Sequence, residues 1–413
     1  MNTFSDLSKT LTSKINKSDK KKHGIYFTPP ETVSNNIDLL KPYMKNIHTI
    51  LEPSCGSCEY VLKLHQTHKK ADITGIELNK TIFNSIKQYK SKSITLVNAN
   101  FLTYNSTHKY DLIIGNPPYF VMKKHEVEKA YHDYFDGRPN IFILFIIKSL
   151  KLLNDKGILS FVLPKSFLNC LYYDKTRKHI MKNYTILNII ECDDKYIDTQ
   201  QDTIILIIQN KAPDNVDTPY NITVSGYTIF GIPDNIKLLN KLYKDSKTLF
   251  DLGFNVSVGN VVWNQCKDIL TDDTSKTLLV YSSDITNNKL KIKKYSNADK
   301  KNYINKPGDD SPLLVINRGY GVGNYNFNYC ILNENDNINY LVENHLICIR
   351  YTNTTTDTNT KELSKEELIG KYKQLIKSFK NQKTAEFINV YFGNNAINTT
   401  ELCNILPIYN MIV

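Results

Sequence analysis

The chain has 413 residues, with 52 Lys and Arg against 41 Asp and Glu, and therefore a formal net charge of +11. Hydrophobic residues at 41% and aromatic residues at 11% suffice for a sizeable core, which excludes a wholly disordered protein. The longest apolar run, residues 141–147, is far shorter than the roughly 20 residues that cross a bilayer, and the polar, basic N-terminus predicts no secretory signal. We expect a soluble protein of two or three domains, and its charge favours a polyanionic partner such as nucleic acid.

Eight cysteines are dispersed along the chain, which is typical of a protein in a reducing compartment and not of a small disulfide-bonded scaffold. Two of them, Cys55 and Cys58, precede His65 and His68 in a pattern that resembles a zinc site. Only six residues separate Cys58 from His65, however, against about 12 in a zinc finger. We therefore expect no metal.

The first half alternates strand-like and helix-like segments after a basic N-terminal tail, residues 1–23. The predicted strands are 49–52, 73–77, 94–98, 110–114, 157–163, 186–192 and 203–209. The predicted helices are 31–43, 59–68, 80–89 and 140–153. This alternation indicates βαβ units and a mostly parallel sheet, which binds its ligands at the carboxyl ends of the strands.

The composition changes near Asn210, where a polar linker that contains proline begins. Beyond it the chain is rich in Asn, Tyr, Thr and Lys, the strand-like runs are short, and the βαβ alternation stops. We expect an α/β domain over residues 24–215 and a separate, mostly irregular α+β domain over residues 225–413.

The sharpest signal is the sequence Asn116-Pro117-Pro118-Tyr119, which directly follows the apolar strand 110–114. The two prolines remove backbone donors and stiffen the turn, so the Asn116 side chain and nearby carbonyl oxygens can point into a pocket as acceptors. An aromatic ring beside two acceptors suits a planar amino group, because the acceptors bind its N–H donors and the ring covers its face.

These four residues resemble the motif of S-adenosylmethionine-dependent amino-methyltransferases. The surrounding motifs are similar in their order to those of gamma-class DNA N6-adenine methyltransferases of type II restriction-modification systems. The matching segments are residues 24–30, 51–57, 75–78, 98–101, 139–145 and 161–164. The resemblance implies a Rossmann-like methyltransferase domain with a mostly parallel, seven-stranded sheet, followed by a C-terminal α+β target-recognition domain.

The resemblance also implies S-adenosylmethionine as the cofactor. Glu77, at the end of a predicted strand, is the acid expected to bind the ribose hydroxyls, a role that suits two acceptor oxygens. The residues expected to bind the cofactor are Tyr26, Thr28, Glu52, Pro53, Ser54, Gly56, Glu77, Leu78, Asn100, Phe101, Asn116 and Phe145.

The implied reaction transfers a methyl group to N6 of an adenine that is flipped out of duplex DNA. The residues expected at the catalytic centre are Asn116, Pro117, Pro118, Tyr119 and Tyr196, with the two tyrosines stacking on the base. Contacts with DNA are expected from Lys22 in the tail and from Arg318 and Tyr320 in a glycine-rich loop of the second domain.

Two positions depart from the family pattern. Cys58 stands where the cofactor loop usually has its second glycine, and Asn100 replaces an aspartate. Either change can weaken cofactor affinity, so a catalytically impaired nucleic-acid-binding homologue stays open, as does an RNA adenine-N6 methyltransferase. A methyltransferase of release-factor glutamine shares the Asn-Pro-Pro-Tyr motif but does not need the second domain.

The expected setting follows from the same resemblance. The protein is expected to act on duplex DNA as a monomer in the cytoplasm, bacterial or of a virus-infected host, and not at a membrane. It serves either as the modification arm of a restriction-modification system, with a cognate restriction endonuclease as a further partner, or as an orphan or viral methylase.

Overall fold

The computed structural model of the protein describes residues 4–193, 195–215, 218–317, 327–352, 363–392 and 397–409. The chain divides into two compact units, which we call the first unit (residues 1–236) and the second unit (residues 237–413). Among the described residues, no helix combines the length and the apolar composition that crossing a membrane requires.

The first unit alternates helices and strands along the chain. Its elements are α1 (Asp6–Lys14), α2 (Lys17–His23), α3 (Pro30–Leu40), β1 (Thr49–Glu52), α4 (Glu59–Thr67), β2 (Asp72–Glu77), α5 (Lys80–Ile86), β3 (Ile94–Asn98), β4 (Tyr110–Gly115), α6 (Ile141–Lys151), β5 (Leu153–Pro164), α7 (Asp174–Asn183), β6 (Thr185–Cys192), β7 (Thr203–Gln209), β8 (Asn221–Val224), β9 (Tyr227–Phe230) and α8 (Pro233–Tyr243), which contains the division point.

Seven of these strands form one sheet in the order β3-β2-β1-β4-β5-β7-β6. All neighbours from β3 to β5 pair in parallel, whereas β7 runs antiparallel between β5 and β6. The central strands are apolar on both faces because helices cover both sides, and α6 is buried almost all round. The predicted fold class, a mostly parallel seven-stranded sheet, is confirmed.

The N-terminal segment differs from the predicted tail, because it folds as α1 and α2. Leu11 of α1 is fully buried, and the Ser8 hydroxyl donates to Ser57 Oγ at 2.8 Å and lies 2.6 Å from Glu59 Oε1. Lys20 of α2 is 5% exposed and pairs with Asp198 at 2.7 Å. Apolar residues at intervals of four define the inner face of α1, and the surrounding lysines concealed that pattern in the sequence.

The first unit continues past residue 215, the predicted end of the α/β domain. The hairpin of β8 and β9 is bonded to α7: Arg177 Nε donates to Thr228 O at 2.6 Å, and Thr228 N donates to Asp174 Oδ1 at 2.7 Å. These buried contacts keep the hairpin with the first unit, whereas the sequence showed only a change of composition. The domain limits themselves stay a prediction.

The second unit is more regular than predicted. Its strands and helices are β10 (Phe254–Val258), β11 (Leu270–Thr271), β12 (Thr277–Val280), β13 (Ile285–Thr286), β14 (Lys289–Leu290), β15 (Tyr303–Ile304), β16 (Leu313–Asn317), β17 (Tyr329–Leu332), β18 (Tyr340–Val342), β19 (Leu346–Tyr351), α9 (Lys365–Phe379), α10 (Gln382–Tyr391) and α11 (Thr399–Asn404). Two four-stranded sheets have the orders β10-β19-β16-β17 and β11-β15-β12-β18. The predicted α+β class of this part is confirmed.

Candidate active site

A cavity of about 570 Å³ lies in the first unit where β1, β2, β3 and β4 end. Carboxyl ends of parallel strands meet at one edge of a sheet, so the loops that follow them converge there. The segment after α2 and the start of α6 complete the wall. The predicted cofactor residues that line the cavity are Tyr26, Pro53, Ser54, Gly56, Glu77, Leu78, Asn100, Phe101, Asn116 and Phe145.

The loop after β1 makes its turn with Cys58 in the left-handed conformation, at φ 68° and ψ 25°. This conformation costs an L-residue roughly 1–2 kcal/mol, which explains why glycine suits the position. The Cys58 side chain is fully buried, and Cys55 N donates to Ile76 O at 2.8 Å, which ties the loop to β2. The cysteine therefore adopts a backbone conformation that favours glycine, although it carries a buried side chain.

Glu77 joins two of the loops that form the cavity. Its Oε2 accepts from Gly56 N at 2.9 Å, and its Oε1 accepts from Asn79 N at 2.6 Å. Burial raises the pKa of Glu77 to about 7, although these backbone N–H groups act in the opposite direction. A carboxylate has about four lone-pair sites, so Glu77 keeps acceptor capacity toward the cavity.

Glu52 and Thr28 are the predicted cofactor residues that do not line the cavity. Glu52 is 3% exposed, burial raises its pKa well above the ordinary value, and its Oε2 has no hydrogen-bond partner among the described residues. Thr28 is also buried, and its hydroxyl accepts from Asn116 Nδ2 at 3.1 Å. Thr28 thus contacts Asn116, a residue of the cavity wall, without lining the cavity itself.

Asn100 and Phe101, which follow β3, form one part of the wall together with Phe145 of α6. The rings of Phe101 and Phe145 are 5.0 Å apart at an interplanar angle of 44°. Asn100 Oδ1 accepts from Leu102 N at 3.0 Å, so the side-chain oxygen is used within its own turn. The outward group of Asn100 is therefore the amide NH₂, a donor, where an aspartate would present an acceptor.

Lys148 of α6 holds this turn, a role that the sequence did not reveal. Its Nζ donates to Leu102 O at 2.8 Å and to Tyr104 O at 2.7 Å, and it lies 5.2 Å from the centre of the Phe101 ring. The lysine is more than 40 residues away in sequence from both carbonyl oxygens. Only the fold brings these groups together.

Asn116 lies at the cavity wall and also at the centre of a polar cluster. Its Oδ1 accepts from Tyr119 Oη at 2.5 Å, and its Nδ2 lies 3.4 Å from Tyr196 Oη. Tyr119 Oη also lies 2.7 Å from Val162 O. A hydroxyl has one proton, so Tyr119 donates to only one of these two acceptors at a time. Burial raises the pKa of both phenols, which therefore stay neutral at physiological pH.

Gly24 lets the segment after α2 pack against the Asn-Pro-Pro-Tyr turn. It ends α2 in the left-handed conformation at φ 64°. A Cβ at Gly24 would lie 2.6 Å from Tyr119 N and 3.0 Å from Pro118 Cβ. Any side chain here would displace the Asn-Pro-Pro-Tyr turn, so Gly24 is a positioning residue for that turn.

The remaining predicted residues differ in whether they line the cavity. Pro118 lines the cavity, whereas Pro117, Tyr119 and Tyr196 do not. Lys22 is exposed on α2, and Arg318 and Tyr320 lie outside the described residues. Within the described ranges, no group of His, Cys, Asp and Glu has an arrangement that could hold a metal ion.

Comparisons with known proteins find similar sequences over most of the chain. Residues 10–197 match the Eco57I restriction-modification methylase family. The chain is 27% identical to Type II methyltransferase M.CvrRI of Paramecium bursaria Chlorella virus XZ-6E, over 96% of this chain and 97% of that protein. It is also 27% identical to Modification methylase CviBIII of Paramecium bursaria Chlorella virus NC1A, over 98% and 97% of the two chains.

Among solved structures, the protein in a DrdV–DNA complex shares the fold, with a TM-score of 0.52 and 13% identity over 94% of this chain and 56% of that chain. Relatives of nearly full length therefore cover both units, whereas the family match falls within the first. The resemblance to methyltransferases of type II restriction-modification systems is thereby confirmed.

Proposed function

We propose that the protein transfers a methyl group from S-adenosylmethionine to N6 of an adenine in duplex DNA, at a sequence that the second unit reads. One observation carries the proposal: Asn116 lies at the wall of the cofactor-sized cavity and in the polar cluster of Tyr119 and Tyr196. A group that binds to Asn116 would therefore lie next to a ligand in the cavity.

The cavity fits the cofactor in size and in chemistry. Its volume of about 570 Å³ lies within the range of roughly 300–1,000 Å³ that is typical of small-molecule sites. Glu77 would accept from the ribose hydroxyls, the rings of Phe101 and Phe145 would contact the adenine, and the Asn100 amide would donate to a ring nitrogen. S-adenosylmethionine, when bound, supplies an electrophilic methyl group on a sulfonium.

Two acceptors would hold the amino group of the target base. Asn116 Oδ1 and the Pro117 carbonyl oxygen would accept from the two N–H groups at N6. Asn116 Oδ1 accepts from the Tyr119 hydroxyl in this structure, so the amino group replaces that donor. The exchange leaves no hydroxyl unpaired, because Val162 O, 2.7 Å away, is a ready second acceptor for Tyr119.

The aromatic rings would compensate for taking the base out of the duplex. Flipping a base costs a few kcal/mol, and a base–aromatic stack contributes roughly 1–3 kcal/mol. Tyr119 would stack on one face, and Tyr196 on the other face or edge. Positive charge develops on the amino nitrogen during transfer, so the two acceptors stabilise the transition state more than the ground state.

The relatives and the charge support DNA as the substrate. The relatives are named as type II methyltransferases and a modification methylase, and one solved relative is in complex with DNA. Cys58 adopts the left-handed backbone conformation that glycine favours, so the loop forms without a glycine here, which favours an active enzyme over an impaired homologue. Action as a monomer, a cytoplasmic location and a cognate restriction endonuclease are part of the proposal.

The test is labelled methyl transfer to unmethylated genomic DNA, followed by nucleoside analysis for N6-methyladenine. Asn116→Ala is expected to lower the rate by at least about 10²-fold, because a transition-state acceptor is lost. Binding of S-adenosylhomocysteine should weaken by no more than about tenfold, the value of one hydrogen bond.

The matched control is Asn183→Ala, because Asn183 is exposed on α7 and donates to His179 O at 2.8 Å. It should leave transfer unchanged. Duplex RNA and total protein serve as competing substrates. Transfer by the wild type to RNA or protein alone would refute the DNA assignment, and failure to bind S-adenosylhomocysteine would favour the impaired homologue.

A further inference from the structure

The positive charge of the chain is concentrated in one segment of the second unit. Residues 289–306, which we call the basic ribbon, contain seven lysines and one aspartate, a net +6 of the formal +11 of the whole chain. The other 395 residues therefore share a net +5. In a sequence, a segment so rich in lysine predicts a solvated loop. In the structure, however, its backbone has a defined conformation.

The first part of the ribbon is fixed by a buried carboxylate. Asp284 is fully buried, and its Oδ1 accepts from Lys293 N at 3.0 Å and from Tyr295 Oη at 2.9 Å. Its backbone oxygen accepts from Lys291 N at 2.7 Å. Three bonds to one buried residue hold the backbone that presents these lysines.

The second part is fixed by aromatic side chains. Tyr281, which is 1% exposed, donates its hydroxyl to Lys301 O at 2.8 Å. Lys300 Nζ lies 4.2 Å from the ring centre of Tyr281 and 4.0 Å from that of Tyr295, within the range of cation–π contacts. Asn302 Nδ2 donates to Lys293 O at 3.0 Å, which joins the two parts. The ribbon is therefore a shaped part of the unit.

Five of the lysines carry charges that are not neutralised. They are Lys289, Lys291, Lys293, Lys294 and Lys306, and all five are exposed. Within the described part of the chain, no carboxylate lies within 4.0 Å of any of their ammonium groups. By contrast, Lys301 pairs with Asp272 at 3.4 Å, and Asp299 pairs with Lys267 at 2.8 Å. Holding like charges together on a fixed backbone is unfavourable unless a polyanion neutralises them.

We infer that the basic ribbon binds the backbone phosphates of duplex DNA and positions the second unit on it. The inference rests on the proposed function and assigns the contact to a surface that the motifs do not include. Duplex DNA carries one negative charge per about 1.7 Å of its axis, so it can neutralise several adjacent lysines together. Contacts with phosphates carry no sequence information, so the ribbon contributes affinity and register, and other residues read the bases.

The test compares two triple variants of the full chain that remove the same charge. K291Q/K293Q/K294Q removes three ribbon lysines. K45Q/K69Q/K70Q removes three exposed lysines that precede β1 and β2, at the edge of the sheet opposite the cavity. Binding to a fluorescent DNA duplex is measured by anisotropy over a series of salt concentrations, and thermal melting verifies that each variant is folded.

Each lost phosphate contact reduces the slope of log K against log[salt] by about 0.9, so the ribbon variant should lose about 2.7 and bind roughly 10²-fold more weakly at 0.15 M salt. The control variant should keep the wild-type slope. Equal slopes in the two variants would overturn the inference. If the ribbon variant melts early, the single variants K291Q and K294Q replace it, each with an expected loss of about 0.9, and unchanged slopes in both would equally overturn it.

The same preparations separate this inference from the proposed function. If the wild type methylates DNA while both variants bind DNA equally well, the proposed function stands and the inference about the ribbon is wrong. A wild-type protein that binds DNA through the ribbon but transfers no methyl group to it retains the ribbon and loses the function. A ribbon-dependent slope with duplex RNA but not with duplex DNA would overturn the choice of DNA.

Discussion

Gly24→Ala separates the steric role of Gly24 from its backbone conformation. Both Gly24 and Gly226 have a positive φ, 64° and 79°, but a Cβ at Gly226 would meet nothing within 4 Å. Alanine in the left-handed conformation costs roughly 1–2 kcal/mol at either position. Gly226→Ala is therefore the matched control, because it shares the backbone cost and lacks the contact with the Asn-Pro-Pro-Tyr turn.

The size of the effect follows from the distance of 2.6 Å between the added Cβ and Tyr119 N. Ordinary contacts of carbon atoms lie at about 3.5–4.0 Å, so the turn must move by roughly 1 Å. A displacement of that size at a reacting group can cost about 10²-fold in rate. We expect Gly24→Ala to lower the rate constant of methyl transfer by 10 to 10²-fold, and Gly226→Ala to leave it unchanged.

The assay is labelled methyl transfer under saturating S-adenosylmethionine, with urea unfolding in parallel. Both variants should lose the backbone cost of roughly 1–2 kcal/mol in free energy of unfolding, and Gly24→Ala should lose more than Gly226→Ala because the clash adds to it. Gly24 also lies on the cavity wall, so calorimetry with S-adenosylhomocysteine measures whether Gly24→Ala changes the affinity for the ligand. Equal methyl-transfer rates in the two variants would refute the steric reasoning.

Two further predictions concern the cofactor side of the site. The folded-state pKa of Glu77, about 7, exceeds the ordinary 4.5, so its contribution to stability is full below pH 4.5 and is lost as the pH rises through 7. Glu77→Gln should therefore flatten the decline of the free energy of unfolding between pH 4.5 and 7, and an unchanged slope would contradict the burial argument. Lys148→Met should weaken binding of S-adenosylhomocysteine by about tenfold, since two hydrogen bonds from a charged group no longer hold the turn after β3. Lys151→Met, at an exposed position of the same helix, should leave this affinity unchanged. Equal losses of affinity in the two variants would contradict the positioning role of Lys148.

The sequence predicted what depends on local pattern. The strands of the large sheet are continuous apolar runs, and Asn116 and its neighbours form a contiguous motif, so both were recognisable without the fold. Cys58 was recognised as a departure, but its left-handed conformation, which explains why glycine suits the position, appears only in the structure.

The contacts that escaped prediction join residues far apart in the chain. Lys148 contacts the turn after β3, and Gly24 lies against Tyr119. Both contacts form only when the sheet is assembled. The fixed backbone of the basic ribbon depends on buried Asp284 and Tyr281, whereas a run of lysines in a sequence is typical of a solvated loop. The two N-terminal helices were concealed for the same reason.

The first of those helices supports the wall of the cavity. Leu11 of α1 belongs to a small apolar cluster with Phe27 and Ile82, and both of these partners line the cavity. Detachment of α1 would expose the back of that wall, so local opening at the N-terminus and ligand binding are linked equilibria. A ligand that fills the cavity therefore protects the lysine-rich first helices from proteolysis. A fragment that begins at Gly24 would lack Leu11 and thereby a support of the cavity wall.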